Sequence, residues 1–156
     1  ARGLARFASL QTQYNLLDRP AEEGALESAE RHGLMVLPFF PLASGVLTGK
    51  YKRGQGAPAG SRFAADTTVN NYIRAKQRSD PRIAVVEKLE AFARELGHTI
   101  IELAFSWLAS QPFVASVIAG ATKPEQVAVN VQAANWELSQ DDFDQVAAIV
   151  GQAVPA

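Results

Sequence analysis

The sequence has no cysteine and a single methionine. Disulfides and thiolate metal sites are excluded with the first absence, which fits a reducing compartment. Charge of one sign is also missing: the formal net charge is −1. A field that weak draws the chain to neither nucleic acid nor an anionic membrane, so neither is expected as a partner. No apolar run approaches the roughly 20 residues that a bilayer span requires. The opening ARGLARFASLQ lacks the long apolar centre of a signal peptide. A cytoplasmic location is the expectation. GxGxxG, a Ser-His-Asp arrangement and a His cluster at metal-ligand spacing are absent as well, so no metal site is expected.

What remains is an ordinary globular composition, 47% hydrophobic and 20% charged over 156 residues, enough for one domain with a sizeable core. Phe7 to Leu10, continuing into Gln11-Thr12, predicts a strand over 7–12. Asp18, Arg19 and Pro20 mark a turn. AEEGALESAERH predicts a helix over 21–32, acidic at its start and closed by Arg31, His32 and Gly33. Leu34 to Phe39 reads as a buried strand that Pro38 brings to an end. Residues 45 to 79, rich in glycine, form a long irregular stretch of the kind that usually carries function. Asp80 as cap and Pro81 at the first position open a helix with Ile83, Val86, Leu89, Phe92, Ala93 and Leu96 on one face. Thr99 and Glu102 form a capping box for the next, and Thr122 and Glu125 for a later one. Val114 to Ala119 predicts a third strand, and Ser139 with Asp142 begins the last helix.

Strands alternating with helices imply an α/β fold: three parallel strands with covering helices. Three strands alone leave both sheet edges unpaired, so the chain reads as part of a larger sheet or barrel. Ala1 stands where no initiator Met does, in agreement with a start partway through a fold.

Ligands of parallel α/β folds sit beyond the C-terminal ends of strands. Three segments fall there: Gln11 to Asn15, Phe39 to Lys50 and Gly120 to Gln126. GATKPEQ passes small residues from a strand straight into a helix start, which suits an anion, with Lys123 adding a full charge. The alternative is a plain loop with a solvated lysine. Phe39 and Phe40 alternate across a strand end, so one is expected to face the loop side and the other a helix. Either ring is core packing or a stacking platform. Lys50 and Arg62 are phosphate clamps or surface cations. His32 and His98 both adjoin helix-ending glycines and read as dipole partners rather than catalysts. Trp136 and Tyr72 read as packing.

LQTQYNLLDR, PFFPLASGVLTGKY, SRF and VIAGATKPEQVAVN, in this order, together with SWLASQP and WELSQDD, resemble the C-terminal half of aldo-keto reductases over nearly the whole chain. The resemblance implies the C-terminal half of a (β/α)8 TIM barrel, with the N-terminal half absent from residues 1–156. It also implies NADP as cofactor and a small carbonyl substrate, an aldehyde or ketone. Gln11 resembles the family residue that bonds the nicotinamide carboxamide, and Phe39 the ring that stacks on the nicotinamide. Phe40, Pro41, Leu42, Ser44 and Lys50 resemble the pyrophosphate loop, and Arg62 the arginine that closes it. Gly120, Thr122, Lys123, Gln126 and Asn130 resemble the segment around the adenosine and its 2′-phosphate; Val129 stands where the family usually has an acid or amide. The Asp, Tyr, Lys and His of family catalysis belong to earlier strands, so no catalytic residue is expected in this chain. Two other readings stay open. One is a cofactor-sensing relative like the β subunits of potassium channels; the other is an inert half-barrel that associates through its open sheet edges.

Overall fold

The computed structural model describes residues 5–61, 63–64 and 79–151. Its first strand, β1 (Ser9–Gln13), pairs in parallel with β2 (Met35–Phe39), Gln11 opposite Leu37 and Gln13 opposite Phe39. The connection between them differs from the single helix expected over 21–32. Gly24, at φ 116°, separates a short 3-10 turn at Pro20–Glu22 from α1 (Ala25–Arg31). A residue in that left-handed region cannot continue a right-handed helix.

The third strand is only half realised. It touches β2 at two isolated parallel bridges, Val36 with Val114 and Phe39 with Ile118. Three steps along β2 thus match four along its neighbour. One extra residue interrupts the ladder, as in a β-bulge, and regular strand pairing stops there. The bulge also decides direction. Val114 shares the face of buried Val36, whereas Ile118 shares the face of Phe39.

Four further helices follow the long loop: α2 (Asp80–Glu95), α3 (Ile100–Ala109), α4 (Pro124–Gln132) and α5 (Gln140–Gly151). Helix α2 starts one residue earlier than expected, with Ser79 as its cap and Pro81 in its first turn. It buries Ile83, Val86, Leu89, Phe92 and Ala93 as the spacing requires, but Leu96, expected on the same face, is the C-terminal cap and is exposed. Helix α3 carries the expected box: Glu102 Oε2 accepts from Thr99 N at 2.7 Å while Thr99 Oγ1 accepts from Glu102 N at 3.2 Å. It buries Ile100, Leu103, Ala104, Phe105, Trp107 and Leu108. Apolar cover on most sides makes it the central helix. Helix α5 has a comparable box between Ser139 and Asp142.

The box expected at Thr122 is not the one that forms. Lys123 is the cap of α4 and makes no side-chain cap bond, Pro124 takes the first helical position, and Gln126 reaches back to Thr122 N at 2.7 Å. Proline at that position moves the start one residue along, which makes Gln126, not Glu125, the third helical residue. The core lies among α2, α3, α5 and the loop after β2, where Leu47, Tyr51, Phe63, Leu89, Leu103, Leu108 and Val146 are fully buried. Helix α4 buries none of its own residues and leaves Val127, Val129 and Val131 exposed. Among the described residues no helix is long and apolar enough to cross a membrane.

Candidate functional site: a cleft beyond the ends of β2 and the third strand

Two of the three segments singled out in the sequence meet. A cleft of about 390 Å³ is lined by Phe39, Phe40, Leu42, Ser44 and Lys50 from the β2 side, and by Ile118 and Gly120 from the other. That volume lies within the usual range for small-molecule sites. Its one charged lining residue is a cation, Lys50.

The loop backbone explains why both aromatic rings arrive there. Phe40 (φ 57°), Ala43 (φ 46°) and Ser44 (φ 59°) occupy the left-handed region without being glycine. The turn at Phe40 breaks strand alternation, so its ring does not go to the opposite face. This corrects the expectation that one ring faces a helix: both line the cleft. Their planes meet edge to face at 78°. Phe40 remains 47% exposed, a large apolar ring left open at the cleft. Gly45 and Gly49 (φ 93° and 73°) complete the loop, and a Cβ on Gly49 would come within 2.9 Å of Glu90 Oε1. Gly120 is the opposite case, because a Cβ there would meet nothing within 4 Å.

The remaining sequence candidates distribute as follows. Pro41 lines the same cleft and is buried. Gln11 is exposed on β1, on the face that Phe39 shares, but does not line the cleft. Thr122 and Lys123 are exposed just past Gly120, and among the described residues Lys123 forms no ion pair. Gln126 commits its side-chain oxygen to Thr122. Asn130 opens instead on a second groove of about 430 Å³, with Val114, Val127 and Val131; Ala119 lines both grooves. Arg62 and Tyr72 lie outside the described residues. Sequence reasoning missed Gly45, Ile118 and Ala119 as lining residues; Gly45 and Ala119 lie inside or beside motifs already noted, while Ile118 is aimed by the bulge.

Neither Tyr14 nor His98 lines the cleft. Tyr14 is buried against Trp107, ring centroids 5.2 Å apart, and donates its hydroxyl to Glu22 Oε1 at 2.7 Å. Burial, then the Glu22 carboxylate, pushes its ionisation far above the usual tyrosine range. His98 stacks on Trp136 at 4.0 Å, with planes 8° apart, and faces Glu102 at 3.4 Å. Both rings are accounted for by packing. Among the described residues no group of three His, Cys, Asp or Glu is placed to hold a metal.

The family model described as "Aldo/keto reductase family" matches residues 1–150. The chain belongs to the aldo/keto reductase family. A probable voltage-gated potassium channel subunit beta from Oryza sativa is 41% identical over 145 residues, 90% of this chain and 43% of that protein. L-glyceraldehyde 3-phosphate reductase of Escherichia coli K12 is 34% identical over 126 residues, 80% of the chain and 36% of the reductase. The solved glycerol dehydrogenase of Gluconobacter oxydans superposes with a TM-score of 0.76 at 28% identity, covering 99% of this chain and 46% of its own. This aldo/keto reductase chain therefore spans about two-fifths of the length of those curated relatives and just under half of the solved one. Its small parallel sheet and helices share the fold of that neighbour.

Proposed function

We propose that the chain is the C-terminal half of an aldo/keto reductase barrel and carries the dinucleotide site of an NADPH-dependent carbonyl reductase. The observation that supports this most is the cleft itself. Two aromatic rings, a hydroxyl-bearing loop and one cation converge beyond the strand ends, beside a helix start bearing Lys123. That combination suits a ligand with an aromatic end and phosphates.

The cleft lining suits the nicotinamide and diphosphate ends of NADP. Phe39 would pack against the nicotinamide and Gln11 would bond its carboxamide. Ser44 and Lys50 would hold the diphosphate, with Phe40, Pro41 and Leu42 shaping the loop and Arg62 closing it. Lys123, with Gly120, Thr122, Gln126 and Asn130, would receive the adenosine end and its 2′-phosphate. When bound, the cofactor supplies a hydride for an aldehyde or ketone. Proton donation falls to the half of the barrel not in this chain, since Tyr14 and His98 are occupied.

The same reading accounts for the exposed apolar surface. Val127 and Val131 beside the second groove, together with the outer edges of β1 and the third strand, are the surfaces that a complementary half-barrel would cover. A cofactor-sensing protein that reduces nothing is the second reading, favoured by the identity to the rice channel subunit. Calorimetric titration of the protein with NADPH and NADH tests the cofactor site. Saturable binding, tighter for NADPH, is expected, and no binding of either overturns it. Turnover of simple aldehydes by the complete barrel then separates reductase from sensor.

A further inference from the structure

Asn15 lies outside the cleft, and its side chain is completely buried. Its oxygen accepts from Leu17 N and Asp18 N, each at 2.9 Å. Its nitrogen donates to Asp18 Oδ2 at 3.2 Å and to the carbonyl of Phe40 at 2.9 Å. All four hydrogen-bonding positions of the amide are used, and the two N–H donors facing one end fix which end is oxygen. Asp18 is held in turn by Arg82, whose guanidinium lies 3.1 Å from Asp18 Oδ1 and bonds Leu17 O at 3.2 Å; the paired side chains are only 12% and 10% exposed.

The Phe40 carbonyl is where this network meets the cleft. It accepts from Ala43 N at 2.9 Å as well as from Asn15. Phe40 is also the first of the three non-glycine residues in the left-handed region. Such a backbone persists only where its surroundings over-determine it. The turn after β1 provides that constraint from another part of the chain, and the helix α2 residue Arg82 anchors it.

We propose that Asn15 is a positioning residue, latching the Phe40–Gly45 loop in the conformation that brings Phe40 and Ser44 to the cleft. The proposal rests on the dinucleotide reading for its ligand but not for its geometry. It makes the turn after β1 a determinant of affinity at the nicotinamide and diphosphate end, although Asn15 touches neither.

The test has two arms. In the first, NADPH and adenosine 2′,5′-bisphosphate are titrated calorimetrically into wild type and Asn15→Ala, with near-UV circular dichroism checking the fold. Affinity for NADPH should fall about tenfold while that for the bisphosphate, held past Gly120, stays within twofold. Equal losses for both ligands, or no loss, overturn the latch. In the second arm, amide hydrogen exchange is followed in the wild-type protein and the variant. In wild type, the Asn15 side-chain proton donated to Phe40 O and the Ala43 amide, sharing that acceptor, should show matching protection from exchange. In Asn15→Ala, Ala43 and Gly45 should exchange about tenfold faster, with α3 amides unchanged. Independent rates in wild type contradict the latch even where the variant does not fold. Wild type that binds no dinucleotide but shows matched exchange defeats the cofactor reading and leaves the latch standing.

Discussion

The rings of Phe39 and Phe40 lie 5.2 Å apart, edge to face, on one side of a cleft rather than on two sides of a strand. Their division of labour is testable. Phe39 pairs in register with Gln13 and Ile118, whereas Phe40 is the more exposed. Phe39→Ala should weaken NADPH binding about three- to tenfold, the equivalent of one aromatic contact. Binding of adenosine 2′,5′-bisphosphate should be unaffected, and turnover by the complete barrel should fall. Parallel titrations of the two ligands check this.

Lys123 caps a helix start and is exposed. A charge-assisted hydrogen bond to a 2′-phosphate contributes roughly 1.5–3 kcal/mol. Lys123→Glu should therefore weaken NADPH about tenfold or more and NADH much less. Equal losses, measured by calorimetry at one ionic strength, would count against the assignment of this end of the site.

Gly49 supports the loop from below. Alanine there would need φ 73° and would place its Cβ 2.9 Å from Glu90 Oε1, disturbing a pair in which Lys52 Nζ lies 2.6 Å from Glu90. Gly33 has a similar φ of 63° but nothing within 4 Å of the added atom. The left-handed backbone alone costs alanine about 1 kcal/mol. Urea unfolding should show about that loss for Gly33→Ala and a somewhat larger one for Gly49→Ala, where the Glu90 carboxylate must also shift.

Glu102 gives a dependence on pH. Backbone hydrogen bonding from Thr99 N holds its carboxyl below the usual glutamate range, helped by the Thr99 hydroxyl and His98 and opposed by partial burial. A carboxyl depressed in the folded state stabilises fully above its unfolded range, and that stabilisation is lost progressively as pH falls from there through the lower folded range. Glu102→Ala should thus lower the urea midpoint at pH 7 and differ much less from wild type at pH 3. A difference independent of pH would assign the loss to something other than the cap.

The elements with strong local signals were legible. The Thr99 box, the buried stripe of α2 and the apolar run of β2 each rest on neighbours in sequence and appear close to where expected. Strand β2 is not buried throughout, however: Met35 is exposed, and only Val36 and Pro38 are buried. That Phe39 to Lys50 and Gly120 lie beyond strand ends was also legible, and the two segments meet in one cleft. Three features were not. The bulge between Val114 and Ile118 depends on pairing with β2, which no local pattern encodes. Phe40's left-handed turn is imposed by distant Asn15, against its own steric preference. Pro124 shifted a helix start by one residue, turning an apparent Thr122 box into a bond from Thr122 N to Gln126.

Gly120 offers the most direct test of the proposed dinucleotide site. It lines the cleft, and an added Cβ would meet nothing within 4 Å. Calorimetric titration of Gly120→Leu with NADPH should show an intact fold by circular dichroism and binding reduced at least a hundredfold. A Gly120→Leu protein that binds NADPH as wild type does would show that the cofactor lies elsewhere.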